Sequence, residues 1–153
     1  DEIHFDLILP GYTHISIGTF EEKYLMNTIL CTAPSKTFNL AGFQTSNLIV
    51  ANPEFRKALK PTLGEYEMLH TLGYQACEIV YNQCEPWLEE LLIVIDRNRQ
   101  LVENFMAEYF PEVVVFPLEG TYLLWMDFHA LKMPYKELEK FMQTEAYLFL
   151  DEG

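Results

Sequence analysis

Residues 29–42 read ILCTAPSKTFNLAG, and this stretch decides how the rest of the chain is interpreted. The apolar run at residues 29–32 predicts a buried strand, and Lys36 follows it between two hydroxyl residues. A lysine amine is strongly hydrated and is seldom desolvated. A desolvated amine loses part of its positive charge and becomes a nucleophile, as a Schiff-base lysine must. From this stretch alone, a surface lysine in a loop is an open alternative.

The composition indicates a globular chain with a strong negative charge. Half of the 153 residues are hydrophobic and 22% are charged, which provides material for a packed core. The formal net charge of −13 argues against a nucleic-acid binder, which needs a basic face, and against a protein bound to anionic membranes. No apolar run reaches the roughly 20 residues that span a bilayer. The three cysteines have no metal-ligand spacing and favour a reducing cytoplasm.

Hydrophobic periodicity and turn residues predict short strands and helices along the chain. The predicted strands are residues 3–9, 29–32, 46–51, 113–116, 122–128 and 147–150. The predicted helices are residues 19–26, 53–60, 65–84 (weakened near Gly73), 86–109 and 134–144. Asn52 and Pro53 form a good helix start, and a turn is expected at residues 10–11. The strands at 113–116 and 122–128 are expected to be neighbours in a small sheet.

Two motifs give the chain a resemblance to a known family. Residues 1–6 read DEIHFD, and TAPSKTFNLAG follows at residues 32–42, with about thirty-five residues between Asp1 and Lys36. Together they resemble the fold-type I, pyridoxal-phosphate-dependent aminotransferases of classes I and II, and most closely their branch of C–S lyases of the cystathionine β-lyase type. Further matches are QTSN, PWL and GTYLLW, at residues 44–47, 86–88 and 120–125.

The resemblance implies an α/β chain with part of the pyridoxal-phosphate-dependent transferase fold. Residues 1–85 would form the C-terminal part of the large α/β/α domain that binds the cofactor. Residues 86–153 would form a linking helix and an incomplete small α+β domain. Because family chains are more than twice this length, we expect a fragment that lacks the N-terminal half and the extreme C-terminus. The expected missing parts include the cofactor's phosphate cradle and an arginine that clamps the substrate carboxylate.

The resemblance also implies roles for five residues. Lys36 would hold pyridoxal phosphate as a Schiff base and remove the substrate Cα proton. Asp1 would pair with the pyridine nitrogen, so that the ring can accept electrons. Ser35 and Thr32 would donate hydrogen bonds to the phosphate. His4 would lie near the ring hydroxyl, which requires a bend after Asp1, because residues i and i+3 do not share a face of a strand.

Other positions carry weaker implications. Tyr122 lies in a strand that approaches the substrate in relatives, although aromatic residues in alternating strands are usually core. A structural role for His4 also stays open. Gln44 stands where many relatives carry a phosphate-binding arginine, which fits the C–S lyase branch and leaves the phosphate less neutralised. The remaining histidines match no metal-ligand spacing, so no metal site is predicted: His14, His70 and His129.

The function implied by the resemblance is β-elimination from cystathionine or cysteine-type amino acids, giving a thiol, pyruvate and ammonia. An aminotransferase of the same family is the first alternative, since both reactions begin with loss of the Cα proton. The second alternative is a catalytically incomplete fragment with no activity of its own. The resemblance further implies a small-molecule amino-acid substrate, a cytoplasmic homodimer as the parent protein, and no nucleic-acid or membrane partner.

Overall fold

The computed structural model describes residues 1–63 and 70–151, which fall into two units. One unit consists of Asp1–Arg99 together with Leu118–Leu123. The other consists of Gln100–Pro117 and the chain from Leu124 onward. The boundary expected after residue 85 stays a prediction.

The first unit contains a two-stranded ribbon built from the predicted strands at residues 29–32 and 46–51. Strand β1 (Ile29–Thr32) pairs antiparallel with β2 (Asn47–Val50), with Ile29 opposite Val50 and Thr32 opposite Asn47. The strands are confirmed, but their predicted burial is wrong, since Ile49 is 55% exposed. A ribbon buries its apolar side chains only where another layer packs on it, and the described residues leave this side of β2 uncovered.

Three helices accompany the ribbon, and the third is longer than the sequence predicts. They are α1 (Glu22–Leu25), α2 (Pro34–Thr37) and α3 (Pro53–Leu63). The predicted cap of α3 is confirmed, because the Asn52 side chain accepts a hydrogen bond from the Glu54 amide at 2.9 Å. The predicted end at residue 60 is wrong, since Pro61 lies within the helix. Pro61 removes one amide donor from the helix but does not stop it at that residue.

Helix α4 (Thr71–Gln83) runs without a break through Gly73. The interruption or weakening predicted near Gly73 does not fall on the glycine itself; His70, three residues earlier, lies outside the helix, and residues 65–69 of the predicted helix lie outside the described residues. Gly73 is buried, and a Cβ atom there would lie 2.3 Å from Thr45 Oγ1 and 3.0 Å from the Phe43 carbonyl oxygen. A side chain at this position would require the Thr45 hydroxyl to move and would press on the Phe43 carbonyl oxygen.

We expect Gly73→Ala to lower the free energy of unfolding by about 1–3 kcal/mol, the usual cost of overpacking. This loss opposes the gain of up to about 1 kcal/mol that alanine brings to a helix interior. Gly42→Ala is the control, because a Cβ atom at Gly42 would meet nothing within 4 Å. Denaturant titration of both variants checks the prediction, and an equal effect at the two positions would contradict it.

Helix α5 (Glu85–Tyr109) is the longest element and confirms the helix predicted at residues 86–109. Two of its apolar residues, Ile95 and Met106, are buried. In the second unit, β3 (Val114–Val115) pairs antiparallel with β4 (Met126–Asp127). The predicted neighbouring strands are therefore present but shorter. Helix α6 (Tyr135–Thr144) confirms the helix predicted at residues 134–144.

The strand predicted at residues 147–150 is wrong. Tyr147 has a φ of +55°, and the Leu148 amide donates a hydrogen bond to the Met142 carbonyl at 2.8 Å. The chain thus folds back on the end of α6 and does not extend. Tyr147 is 80% exposed, so the apolar composition of this stretch is not matched by burial among the described residues.

The strand predicted at residues 3–9 is also wrong for most of its length. Residues 3–6 form turns, and Ile8 makes an isolated antiparallel bridge with Gly120. The buried side chains of Leu7 and Leu9 explain the apolar pattern that resembles a strand. The predicted turn at residues 10–11 is confirmed, with Gly11 at a φ of +91°.

Candidate functional site

The N-terminal segment lies beside the strand that leads to Lys36. The Glu2 amide donates a hydrogen bond to the Cys31 carbonyl on β1 at 2.8 Å. The Phe5 amide then bonds the Glu2 carbonyl at 3.1 Å, and the Leu7 amide bonds the His4 carbonyl at 2.9 Å. These turns supply the bend after Asp1 that the predicted role of His4 requires. The exposed Asp1 carboxylate accepts a hydrogen bond from the Ile3 amide at 3.0 Å.

Lys36 lies on α2, a single helical turn anchored by its neighbours. Ala33 is extended with a φ of −157°, and Pro34 occupies the start of the helix, where its fixed φ is favourable. Pro34 and Thr37 are buried, whereas Lys36 is exposed. The described residues therefore do not desolvate its amine. Within residues 1–63 and 70–151, the Lys36 amine makes no ion pair.

His4 is the residue at which several predicted site residues meet. Burial lowers its pKa below the ordinary histidine range, and the positive charge of Lys36 lowers this pKa further. Both effects favour the neutral imidazole. Its Nδ1 shares a hydrogen bond with Thr121 Oγ1 at 2.9 Å, and the Tyr122 ring meets it edge-on with centroids 5.3 Å apart. The structure thus brings together His4, Lys36 and Tyr122, and it adds Thr121.

The lowered pKa of His4 predicts a pH effect on stability. Because the unfolded chain protonates His4 at a higher pH than the folded chain does, stability is lost as the pH falls below about 6.5 and through the folded-state pKa. We expect His4→Gln to lose less stability than the wild type between about pH 7.5 and 5.5. Denaturant titration at each pH measures this difference. A His4→Gln variant that loses as much stability as the wild type over this range would contradict the prediction.

Thr121 is a site residue that sequence reasoning missed. Its φ is +63°, which is rare for a β-branched residue and costs on the order of 1–3 kcal/mol. The backbone holds it there, because its amide donates a hydrogen bond to the Leu7 carbonyl. Gly120 allows this approach, since a Cβ atom there would lie 3.0 Å from the same carbonyl oxygen. The Gly-Thr pair in GTYLLW was the available signal, but threonine normally indicates a strand.

The predicted phosphate ligands have unequal surroundings. Thr32 Oγ1 accepts a hydrogen bond from the Asn47 amide group at 3.4 Å across β1 and β2. The hydroxyl of Ser35 has no hydrogen-bond partner in the part of the chain that the structure describes. Gln44 ends a short 3₁₀ helix in the left-handed region, with a φ of +50°. The roles of Thr32 and Ser35 stay predictions.

The other residues considered from the sequence are Tyr122 and two of the remaining histidines. Tyr122 is 44% exposed, so the core alternative does not describe it. His14 bonds Glu2 at 3.0 Å, and His129 bonds Asp127. Among the described residues, no group of three or more histidine, cysteine or acidic side chains could hold a metal ion. No helix in the same ranges has the length and apolarity that crossing a membrane requires.

Comparisons with known proteins find relatives that match the chain along its whole length. No protein-family model matches it. It is 32% identical to cystathionine β-lyase PatB of Bacillus subtilis (strain 168), over 100% of this chain and 40% of that protein. Cystalysin from Treponema denticola, whose crystal structure contains pyridoxal 5′-phosphate, is 46% identical with a TM-score of 0.95, over 100% of this chain and 39% of its own.

A third relative broadens the range of activities. A pyridoxal-phosphate-bound protein from Clostridium difficile 630, provisionally assigned as an aminotransferase, is 35% identical with a TM-score of 0.95, over 100% of this chain and 40% of its own. The chain thus spans about 40% of the length of these relatives. Its homologues and structural neighbours include C–S lyases and aminotransferases of the pyridoxal-phosphate-dependent class I/II fold, and the chain has that fold over the segment that it shares with them.

Proposed function

We propose that the whole protein is a pyridoxal-phosphate-dependent C–S lyase that eliminates a thiol from cystathionine or cysteine-type amino acids. Water completes the reaction, and the remaining products are pyruvate and ammonia. The observation that carries the proposal is the similarity to cystathionine β-lyase PatB and to cystalysin along 100% of this chain. The chain matches only about 40% of the length of these two proteins. The lyase activity is therefore proposed for the whole protein and not for this segment alone.

The residues present suit the cofactor by their chemistry. The Lys36 amine is exposed and makes no ion pair with described residues, which leaves it available for the cofactor aldehyde. The carboxylate of Asp1 suits the pyridine nitrogen, and the hydroxyls of Ser35 and Thr32 suit the phosphate. When bound, pyridoxal phosphate supplies an electron sink for the carbanion formed at the substrate Cα.

The chain's own residues then bind, orient and move protons. Lys36 Nζ takes the proton from the substrate Cα, after which the C–S bond at Cβ breaks and the thiol leaves. The Nδ1 atom of His4 bonds Thr121, which leaves Nε2 for a further hydrogen bond. The Tyr122 ring contacts His4 and is exposed enough to contact a substrate.

An aminotransferase is the second candidate, and the similarity to the Clostridium difficile protein favours it. Both reactions need the same lysine and the same Cα proton transfer. They differ in whether Cβ carries a leaving group and in where the next proton is delivered. For the whole protein we further propose a cytoplasmic homodimer with the domain division after residue 85. Its net charge of −13 in this segment supports a small-molecule substrate over nucleic acid or an anionic membrane.

The test is incubation of the whole protein with pyridoxal phosphate and L-cystathionine, with and without a 2-oxo acid. A lyase releases pyruvate and thiol in equal amounts, and the 2-oxo acid is not required. Amino transfer that depends on the 2-oxo acid, without thiol release, would overturn the lyase proposal in favour of the aminotransferase. The 153-residue chain alone is a separate arm, and inactivity there supports the incomplete-fragment alternative for this segment only.

A further inference from the structure

A second cluster includes Thr37, the residue after Lys36, and uses none of the predicted cofactor ligands. The Asp6 carboxylate accepts a hydrogen bond from Thr37 Oγ1 at 2.9 Å and another from the Tyr81 hydroxyl at 3.4 Å, both at Oδ2. These three residues come from the N-terminal turns, from α2 and from α4. The cluster therefore joins three segments that are distant in sequence.

The surroundings of this carboxylate are unusual for a structural aspartate. Burial raises the pKa of Asp6, and the hydrogen bonds from Thr37 and Tyr81 together with the nearby His14 oppose that rise. Thr37 is completely buried. Burial and the negative charge of Asp6 also raise the pKa of Tyr81 far above the ordinary range, with a further contribution from Cys77. A partly buried carboxylate is costly unless donors satisfy it, and here two donors do.

The position of Thr37 connects this cluster to Lys36. Thr37 follows Lys36 directly and is the last residue of α2, which has only four residues. A single turn is unstable by itself and depends on tertiary contacts to keep its shape. Two such contacts lie on this side: the hydrogen bond from Thr37 to Asp6, and the Phe38 ring set edge-on against Tyr81 at 5.5 Å.

We propose that Asp6 is a positioning residue for Lys36: by holding Thr37 and Tyr81, it fixes the turn that presents the lysine amine. This inference rests on the proposed function, since it assigns the lysine as the group that reacts with pyridoxal phosphate. Asp6 acts through Thr37 and does not itself contact the lysine amine in any recorded hydrogen bond or ion pair of the described chain. A purely structural role would affect stability alone, whereas positioning also affects how fast Lys36 reacts.

The test compares Thr37→Val, which removes the hydroxyl at nearly constant shape, with Thr37→Ser, which keeps it. Each whole-protein variant is exposed to limiting pyridoxal phosphate, trapped with borohydride at intervals and mapped by peptide analysis. We expect the labelling rate at Lys36 to fall about tenfold in Thr37→Val, as for loss of one hydrogen bond to a charged group, and to stay within about twofold in Thr37→Ser. Labelling at the exposed Lys57 and Lys60 is the internal control.

A matched variant separates positioning from loss of stability. Val113→Ala creates a cavity in the other unit, and its midpoint of thermal unfolding is measured beside that of Thr37→Val. A labelling rate in Thr37→Val that equals the wild type, or that falls no further than in Val113→Ala, would overturn the inference. If Thr37→Val does not fold, Asp6→Asn takes its place with the same expected loss. Absence of label at Lys36 in the wild type would instead overturn the proposed function, and the inference with it.

Discussion

Replacing Lys36 with alanine in the whole protein is expected to lower the rate of thiol release by about 10²–10⁴-fold or more. A positioned acid–base group typically contributes a factor of that size, and Lys36 is proposed both to hold the cofactor and to move the Cα proton. Within the described residues its amine has no ion pair, so its removal breaks no such contact that supports the fold. The rate of pyruvate formation from L-cystathionine, at saturating pyridoxal phosphate, measures the effect.

Two further variants, Lys36→Arg and Lys57→Ala, are compared with Lys36→Ala. Arginine keeps the positive charge but stays protonated, so it cannot serve as nucleophile or base, and we expect it to be as inactive as alanine. Lys57 is an exposed residue of α3, and its replacement should leave the rate unchanged. Wild-type activity in Lys36→Ala, or full activity in Lys36→Arg, would show that another residue carries the chemistry.

Replacing Leu7 with alanine is expected to lower the free energy of unfolding by about 2–5 kcal/mol, the range for large-to-small changes in a packed core. Leu7 is fully buried, and its backbone joins the two sides of the candidate site. Its amide donates to the His4 carbonyl, and its own carbonyl accepts from the Thr121 amide. A cavity at this position therefore loosens the contact between His4 and Thr121 as well as the core.

Denaturant titration measures the effect of Leu7→Ala, and Leu72→Ala provides the control. Leu72 is 58% exposed on α4, so its truncation should change the free energy of unfolding by no more than about 0.5 kcal/mol. Equal effects of the two substitutions would mean that Leu7 is not packed in solution as the structure shows.

Local signals in the sequence predicted the regular elements well. The apolar repeat in residues 86–109 gave α5 almost to the residue, and Asn52 gave the start of α3 through its side-chain cap. The failures occurred where tertiary contacts decide the backbone. Residues 3–9 have the composition of a strand, but their amides are used in local turns and in the contact with residues 118–123.

The sequence predicted only part of the candidate site, again because tertiary contacts determine the rest. The two motifs predicted roles for Asp1, His4 and Lys36, and the bend that the predicted role of His4 requires is present. Neither the left-handed conformation of Thr121 nor the hydrogen bond from Thr37 to Asp6 leaves a local signature. Such contacts link residues 31 or more positions apart, and a pattern of neighbouring residue types cannot encode them. The sequence also did not predict that Lys36 is exposed in the described chain.

The most direct measurement for the central claim is the visible absorption spectrum of the whole protein with added pyridoxal phosphate, before and after borohydride, followed by peptide mapping. If Lys36 holds the cofactor, we expect a yellow absorbance band that bleaches on reduction, with the reduced cofactor attached to Lys36. No band in the whole protein, or a label distributed over exposed lysines such as Lys57 and Lys60 without preference for Lys36, would contradict it.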